Sequence, residues 1–187
     1  CADHAKCGAG YGSNFDSLAD PGATNSSCSK CADGTYSGTN GYGACQDVPP
    51  GSQGQVLATD AAHAASGGAK YAVACAQGTY NADGTGACDT CAAGSYTEST
   101  SGSTTCRVCP AGAKCANGIK TACAGTTWSA ANSDKCYTCP EGSECASGIK
   151  TACTGTSWSA ANSGSCSTCP AGAKCESGTK SACADKR

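Results

Sequence analysis

The segment CPAGAKCANGIKTAC, Cys109–Cys123, returns thirty residues later as CPEGSECASGIKTAC, Cys139–Cys153, and again as CPAGAKCESGTKSAC, Cys169–Cys183. Each copy carries three cysteines and hardly any large apolar side chain. Residues 109–138 and 139–168 align without a gap, so the chain is self-similar at a fixed period. Such a period predicts a tandem array in which each unit contacts chiefly its neighbours.

The composition argues against a shared apolar core. The 187 residues include 20 Cys and 26 Gly, but one Phe, two Trp and no Met. Burying a large aliphatic side chain contributes roughly 1.5–3 kcal/mol, whereas ordering one residue costs about 1–2 kcal/mol. Cross-links must therefore stabilise the chain, through either disulfides or metal ions. A cysteine content this high is typical of a disulfide scaffold in an oxidising compartment.

The charge and hydropathy patterns disfavour several classes of partner. The formal net charge is −2 and the sequence has no basic run, which argues against nucleic acid and against an electrostatic membrane patch. No apolar stretch approaches the roughly 18 residues of a transmembrane helix, and no signal peptide opens the chain. We expect a mature or trimmed extracellular segment.

The cysteine spacing leads to a prediction of the disulfide pairs. Counted from zero at the first Cys of each unit, the full repeats carry Cys at positions 0, 6, 14 and 27. The unit that begins at Cys31 keeps Cys45 at position 14 but has Ser37 at position 6 and Ala58 at position 27. Since a disulfide loses both partners or neither, we predict that position 0 pairs with 14 and position 6 with 27. The predicted pairs are Cys31–Cys45, Cys109–Cys123, Cys139–Cys153, Cys169–Cys183, Cys7–Cys28, Cys115–Cys136 and Cys145–Cys166, with Cys75–Cys88 and Cys91–Cys106 in shorter modules.

Cys1 and Cys175 have no partner in this scheme. One interpretation is that flanking sequence supplies their partners. The other is that Cys175 of one copy joins Cys1 of the next in an intermolecular disulfide, which would build a covalent filament.

The predicted fold is an elongated tandem array of small disulfide-rich modules with short β-hairpins and little regular secondary structure. Strands such as GTYS and GSYT should pair briefly across each loop, with Gly and Asn supplying positive φ at the turns. The predicted domains are an atypical cysteine-rich repeat at 1–30, a short CxxGTY module at 31–45, a Cys-free Ala/Gly-rich insertion at 46–74, two short CxxGxY modules at 75–108, full repeats at 109–138 and 139–168, and a truncated repeat at 169–187.

The insertion at 46–74 holds the one segment that favours a helix. QVLATDAAHAA, Gln55–Ala65, is followed by Gly67 and Gly68, which are typical of a helix end. Because the insertion interrupts the repeat, we expect it to project as a loop, either as a contact surface or as a disordered linker.

Three residues are candidates for packing or modification. Trp128 and Trp158 share one repeat position, which predicts a lid over the nearby disulfides that packs one module on the next; a surface that stacks on a ligand is the alternative. Asn25 begins the sequon Asn-Ser-Ser, a predicted N-glycosylation site.

No residues point to catalysis or to a cofactor. His4 and His63 are the two histidines, and neither lies in a pattern that resembles a catalytic triad. Zinc is an alternative to disulfides because Cys-x-x-Cys occurs five times, but a structural zinc site needs four ligands, and here each pair belongs to a longer cysteine ladder. We predict no enzyme, no cofactor and no metal.

The spacing Cys-x20-Cys-x2-Cys occurs at Cys7–Cys28–Cys31, Cys115–Cys136–Cys139 and Cys145–Cys166–Cys169. Together with the run CPAGAKC…TAC…C-x-x-C, in a background of Ala, Gly, Ser and Thr, it resembles the immobilization antigens of ciliates over nearly the whole chain. The resemblance implies an abundant glycoprotein of the cell surface, held by a glycosylphosphatidylinositol anchor and bound by immobilising antibodies. The sequence has no hydrophobic C-terminal tail that would signal such an anchor.

From the resemblance and the repeats together, we expect a structural and antigenic surface-coat protein that self-associates into a coat or filament. Its membrane contact would be through the lipid anchor. A second resemblance, of the short C-x2-G-T-Y modules to the cysteine-rich repeats of tumour-necrosis-factor and growth-factor receptors, implies instead a module that binds a protein or glycan ligand.

Overall fold

A computed structural model describes residues 7–13, 28–38, 44–56 and 68–183, and within these ranges the chain forms twenty short strands and no helix. The strands pair two by two in chain order, β1 with β2, β3 with β4 and so on, giving ten two-stranded antiparallel sheets. The strands are β1 Tyr11–Ser13, β2 Cys28–Lys30, β3 Thr35–Tyr36, β4 Gln46–Asp47, β5 Ser52–Gln55, β6 Tyr71–Ala74, β7 Thr79–Tyr80, β8 Asp89–Thr90, β9 Ser95–Tyr96, β10 Arg107–Val108, β11 Ala113–Ala116, β12 Ile119–Ala122, β13 Thr127–Trp128, β14 Tyr137–Thr138, β15 Ser143–Ala146, β16 Ile149–Ala152, β17 Ser157–Trp158, β18 Ser167–Thr168, β19 Ala173–Glu176 and β20 Thr179–Ala182. The predicted fold class, a small disulfide-rich array of short hairpins, is confirmed.

The chain divides into two compact units. One contains Cys1–Cys91 and Thr97–Cys106, and the other contains Ala92–Tyr96 and Arg107–Arg187. In the second unit, a small buried cluster joins Tyr96, Ala113 and the sulfurs of Cys109 and Cys115. Disulfide sulfur and alanine thus occupy the place of a larger apolar core.

Five segments, which we call aromatic modules, share one local structure in their described residues: 31–38 with 44–47, 75–90, 91–108, 123–138 and 153–168. In each module a Thr or Ser stands four residues after the first Cys, and a Tyr or Trp follows it. These two residues form a short strand that pairs with the two residues after the second Cys. In one module the Thr127 N–H and hydroxyl both donate to the Ala124 carbonyl, at 3.2 and 2.6 Å. The Thr or Ser therefore closes the turn that precedes the aromatic residue and fixes its position.

Three further segments, which we call hairpin modules, are residues 109–122, 139–152 and 169–182. In the first, β11 and β12 are joined by Asn117 and Gly118, whose φ angles are 51° and 72°. Positive φ at both central residues is typical of the type I′ turn, whose twist matches that of the paired strands. Ser-Gly takes the same place in the other two modules, so local sequence alone accounts for these hairpins.

The disulfides agree with the predicted pairs in the first half of the chain and differ in the second. Bonds join Cys7–Cys28, Cys31–Cys45, Cys75–Cys88 and Cys91–Cys106, as the spacing predicts. The predicted pairs Cys109–Cys123, Cys115–Cys136, Cys139–Cys153, Cys145–Cys166 and Cys169–Cys183 are wrong. The structure has Cys109–Cys115, Cys123–Cys136, Cys139–Cys145, Cys153–Cys166 and Cys169–Cys175.

The error lies in assuming that every unit has one pairing scheme. Cys123 stands five residues before Trp128, as Cys31 stands five residues before Tyr36. Cys123 therefore begins an aromatic module and corresponds to Cys31. Counting from the first Cys of each unit instead places Cys123 opposite Cys45, which closes the module that Cys31 begins.

The remaining two cysteines of each full repeat pair across the tight turn that opens the hairpin module. The Ala113 N–H donates to the Pro110 carbonyl at 3.3 Å, which turns the chain back on itself. Cys109 and Cys115 are thereby brought to a Cα–Cα distance of 5.7 Å, normal for a disulfide. Loops with separations of 6 and 13 residues contribute about 2 and about 3 kcal/mol by the chain-entropy estimate.

The predicted helix Gln55–Ala65 is wrong at its first residue. Gln55 ends β5, pairs with Tyr71 of β6, and is fully buried. The Gln55 carbonyl accepts a hydrogen bond from the Lys70 N–H at 2.8 Å, so at Gln55 strand pairing overrides local helix propensity. Residues 57–67 lie outside the described residues. The described ends of the insertion pair as β5 and β6, and the predicted projecting loop falls on residues outside the described ranges.

Mapping of linked peptides tests the disulfide pairs. Trypsin acting on the denatured, unreduced chain should cut after Arg107, Lys114, Lys120 and Lys135. The Cys109–Cys115 bond predicts a species in which Val108–Lys114 is linked to Cys115–Lys120, readable by mass spectrometry. A species that links Val108–Lys114 to Thr121–Lys135 would instead support pairing of Cys109 with Cys123.

Substitution of Gly178 tests the close approach of successive hairpin modules. A Cβ at Gly178, where φ is 79°, would lie 2.5 Å from the Gly142 carbonyl oxygen. We expect Gly178→Ala to lower local stability by about 1–3 kcal/mol, seen as faster hydrogen exchange of the Ser159 N–H, which donates to the Gly178 carbonyl.

The matched control is Gly155→Ala. Gly155 also has a positive φ, 63°, but a Cβ there meets no atom within 4 Å, so this substitution adds backbone strain without a clash. Equal effects of the two substitutions on exchange of the Ser159 N–H would contradict the close approach.

Candidate functional site

The candidate functional site is the repeated surface of residues 107–183, together with the strand β9. Here each hairpin module covers the aromatic side chain of the module before it. The Nζ atoms of Lys120, Lys150 and Lys180 lie 4.6, 4.0 and 3.8 Å from the ring centroids of Tyr96, Trp128 and Trp158. At these distances a cation–π interaction contributes about 0.5–1 kcal/mol at exposed sites and more where water is excluded.

A backbone hydrogen bond accompanies the lysine–aromatic contact between successive modules. The Ser129 N–H donates to the Gly148 carbonyl at 3.1 Å, and the Ser159 N–H donates to the Gly178 carbonyl at 3.0 Å. The residue after each tryptophan is thus bonded to the tip of the following hairpin. The same pair of contacts between neighbouring modules thus recurs along this part of the chain.

Both tryptophans lie between consecutive modules. Trp128 and Trp158 are half-buried, and in each case the ring face lies under a lysine of the next hairpin module. The Trp128 ring also contacts Tyr137, with centroids 5.7 Å apart. The Nε1 atoms of Trp128 and Trp158 are buried without a hydrogen-bond partner in the described part of the chain, and no contact in the structure explains this. The predicted role in packing between modules agrees with these contacts.

The second strand of every hairpin module faces outward. All four residues of β12, β16 and β20 are exposed, whereas β11 alternates between buried and exposed residues and β15 exposes only its last residue, Ala146. The exposed strands read IKTA, IKTA and TKSA. The surface therefore shows nearly the same short polar strand three times.

Four residues that the sequence pattern singles out lie outside the described residues: Cys1, His4, Asn25 and His63. The intermolecular disulfide predicted for Cys175 is contradicted, because the short turn of the hairpin module pairs Cys175 with Cys169. Among the described residues the free thiol is that of Cys183, which is exposed.

Two described side chains, Lys174 on this surface and Asp83 outside it, have shifted pKa values. The hydrogen bond and the charge of the Glu176 carboxylate, 2.7 Å from the Lys174 Nζ, raise the pKa of Lys174. Hydrogen bonds from the Thr85 hydroxyl and N–H lower the pKa of Asp83. In the described ranges, no three His, Cys, Asp or Glu side chains come together in an arrangement that could hold a metal ion.

The lysine contacts carried a sequence signal that cysteine spacing alone does not show. Each of Lys150 and Lys180 follows a tryptophan by 22 residues and stands two residues after a Ser-Gly turn. Reading the turn as a type I′ hairpin would have predicted an outward strand beginning with the residue before that lysine. The partner ring, however, is set by packing between modules.

The described residues form nine disulfides, which indicate an extracellular or secreted protein because such bonds form and persist in oxidising compartments. The described ranges contain no helix that could cross a membrane. Comparison with known protein families finds no match for the chain, and comparison with curated proteins also finds none.

Substitution of Lys150 tests the contact with Trp128. We expect Lys150→Ala to destabilise the junction by about 0.5–1 kcal/mol, measured as increased hydrogen exchange of the Ser129 N–H and as a change in tryptophan fluorescence. Lys150→Arg is the matched control, because a guanidinium also stacks on an aromatic face. Equal exchange in both variants and the original chain would count against a stabilising contact.

Proposed function

We propose that this chain is a structural and antigenic component of a cell-surface coat, of the type of the ciliate immobilization antigens. The observation that carries the proposal is the thrice-repeated exposed strand on modules that are each closed by their own disulfide. A surface that repeats a short epitope at fixed spacing suits binding by bivalent antibodies, since the second binding event becomes intramolecular.

The cross-links support a mechanical role. Each module between Cys109 and Cys175 is closed by a loop of 6 or 13 residues, so opening one module leaves its neighbours closed. Repeat arrays of this kind gain stability from each module and from contacts between nearest neighbours. A coat built this way would resist proteases and mechanical strain because few backbone segments can unfold far enough to be cut.

The proposal includes the partners and the attachment. The coat protein would self-associate, be bound by antibodies, carry sugar at Asn25, and reach the membrane through a lipid anchor. We propose no catalytic activity and no cofactor for it, and no nucleic-acid partner, in keeping with its net charge of −2.

The rival function, a receptor-like module that binds a ligand, has less support. The faces of Tyr96, Trp128 and Trp158, which would be the natural platforms for a stacked glycan or peptide, are each covered by a lysine of the chain itself. A ligand would have to displace these contacts before it could bind there.

Antibodies raised against the folded, oxidised chain test the proposal. We expect them to label the outside of unpermeabilised cells of the source organism, to slow or stop swimming, and to lose most binding once the chain is reduced and alkylated. Loss on reduction follows because the disulfides hold the repeated strand in its exposed form.

A control serum is absorbed with a chain carrying Thr121→Asp and Thr151→Asp, two substitutions on the exposed strands. Serum absorbed in this way should still label cells if the repeated strand is a principal epitope. Labelling confined to the cell interior, or to the medium with none on cells, would overturn the assignment to a surface coat.

A further inference from the structure

The hairpin formed by β5 and β6 carries a partly open cavity of about 150 Å3. Gln53 and Gln55 of β5 and Val73 of β6 line this cavity, together with both cysteines of the Cys75–Cys88 disulfide. Alternate residues of a strand face the same side of the sheet, and Val73 lies opposite Gln53 in the register. The two glutamines and the valine therefore converge on one face of the hairpin, where the aromatic module 75–90 lies against them.

Hydrogen bonds fix the walls of the cavity. The Cys75 N–H donates to the Gly51 carbonyl at 2.8 Å, which attaches the start of the aromatic module to the hairpin. The Cys88 N–H donates to Gln53 Oε1 at 2.8 Å, which attaches the closing cysteine of the same module. The disulfide then joins these two attachment points, so the cavity is formed before any ligand arrives, as is usual for small-molecule sites.

The side-chain amide of Gln55 is the polar group that this arrangement leaves unsatisfied. Gln55 is 0% exposed, and its Nε2 and Oε1 atoms make no hydrogen bond within the described part of the chain. A buried polar group without a partner destabilises a fold. A ligand that supplied one acceptor and one donor would recover this free energy on binding.

The rest of the lining is neutral and largely apolar. Val73, Ala74, Ala76 and Ala87 contribute hydrocarbon, and none of the described residues that line the cavity is charged. The Thr79 hydroxyl donates to the Ala76 carbonyl at 2.8 Å, so it offers only its lone pairs to a ligand. Because burying an unpaired charge is costly, the cavity favours an uncharged ligand with an apolar body.

The size of the cavity favours an organic molecule over water. A cavity of about 150 Å3 accommodates a molecule the size of benzene, whereas one water occupies roughly 30 Å3 of liquid. A buried water makes about three hydrogen bonds, and walls of this kind offer few partners beyond the Gln55 amide. Ala76 and Ala87 of the lining are exposed, so a small molecule can enter from solvent.

We propose that this cavity binds a small uncharged primary amide of about six to eight non-hydrogen atoms. A primary amide carries a carbonyl oxygen beside two N–H donors. It can therefore pair with the Gln55 amide through two hydrogen bonds, accepting from Nε2 and donating to Oε1. A secondary trans amide directs its N–H and carbonyl to opposite sides and can make only one of them. None of the lining residues belongs to the repeated surface at 107–183, so this binding function goes beyond the coat function and does not depend on it.

Isobutyramide, which has six non-hydrogen atoms, is the probe. It is titrated into the isotope-labelled 187-residue chain, and binding is followed by the NMR shifts of the Gln55 side-chain amide and the Cys88 N–H. We expect saturable binding with a Kd on the order of 1 mM, ordinary for so small a ligand, with large shifts at both groups. Absence of a saturable shift there would mean that the cavity holds water alone and would overturn the proposal.

Two further ligands separate amide recognition from burial of an apolar body. Methyl isopropyl ketone has nearly the same shape but a methyl group in place of the NH2 group, and should bind roughly three- to tenfold more weakly because Gln55 Oε1 stays unsatisfied. Isobutyrate should bind roughly tenfold more weakly or worse, because its charge finds no cation in the lining. Equal affinity for the ketone and the amide would contradict the proposed pairing.

Substitution of Gln55 locates the pairing in the chain. Gln55→Met keeps a side chain of similar length without the amide, so we expect the ketone to bind at least as well as isobutyramide, with no loss of stability. Gln46→Met is the matched control, since Gln46 is exposed in β4 and should leave both affinities unchanged. Hydrogen exchange of the Lys70 N–H, which donates to the Gln55 carbonyl, shows that the hairpin is folded. A folded Gln55→Met chain that still prefers the amide would refute the assignment.

Discussion

Closure of short loops by disulfides is the constraint on which the rest of this structure depends. The first hairpin module is held by Cys109–Cys115 and the aromatic module after it by Cys123–Cys136. The buried cluster around Cys109–Cys115 contains Tyr96 and Ala113 but no Leu, Ile or Phe. Each bond lowers the entropy of the unfolded chain locally, so a module need not bury much apolar surface to stay folded.

Local closure also explains why contacts between modules can be small and regular. A lysine over an aromatic ring and a backbone bond at a hairpin tip contribute little individually. They suffice here because the disulfides have already ordered each module, so that little further entropy is lost on packing. Glycines at the tips, such as Gly178 against Gly142, let the backbones approach closely. The outcome is a repeating surface with its lysines and exposed strands at the same places in each repeat.

Between Cys109 and Thr168 hairpin and aromatic modules alternate, and each covers an edge of the other. The loop of the aromatic module satisfies the outer edge of the hairpin before it, as Ser159 does for Gly142. Closure by disulfides keeps each module in the shape that these bonds require.

The sequence by itself determined the fold class, the period and the extracellular setting, because cysteine content and repeat spacing are read without knowledge of contacts. Turn chemistry also allows the hairpins to be predicted, since Asn117–Gly118 and its Ser-Gly counterparts adopt positive φ from local preference. Only the tertiary structure decided the partner of Cys123, because spacing is compatible with more than one pairing and proximity of sulfurs depends on how each turn folds. It alone placed Gln55 in a strand, against local helix propensity, and set Lys150 on Trp128, because both positions result from packing between segments distant in sequence.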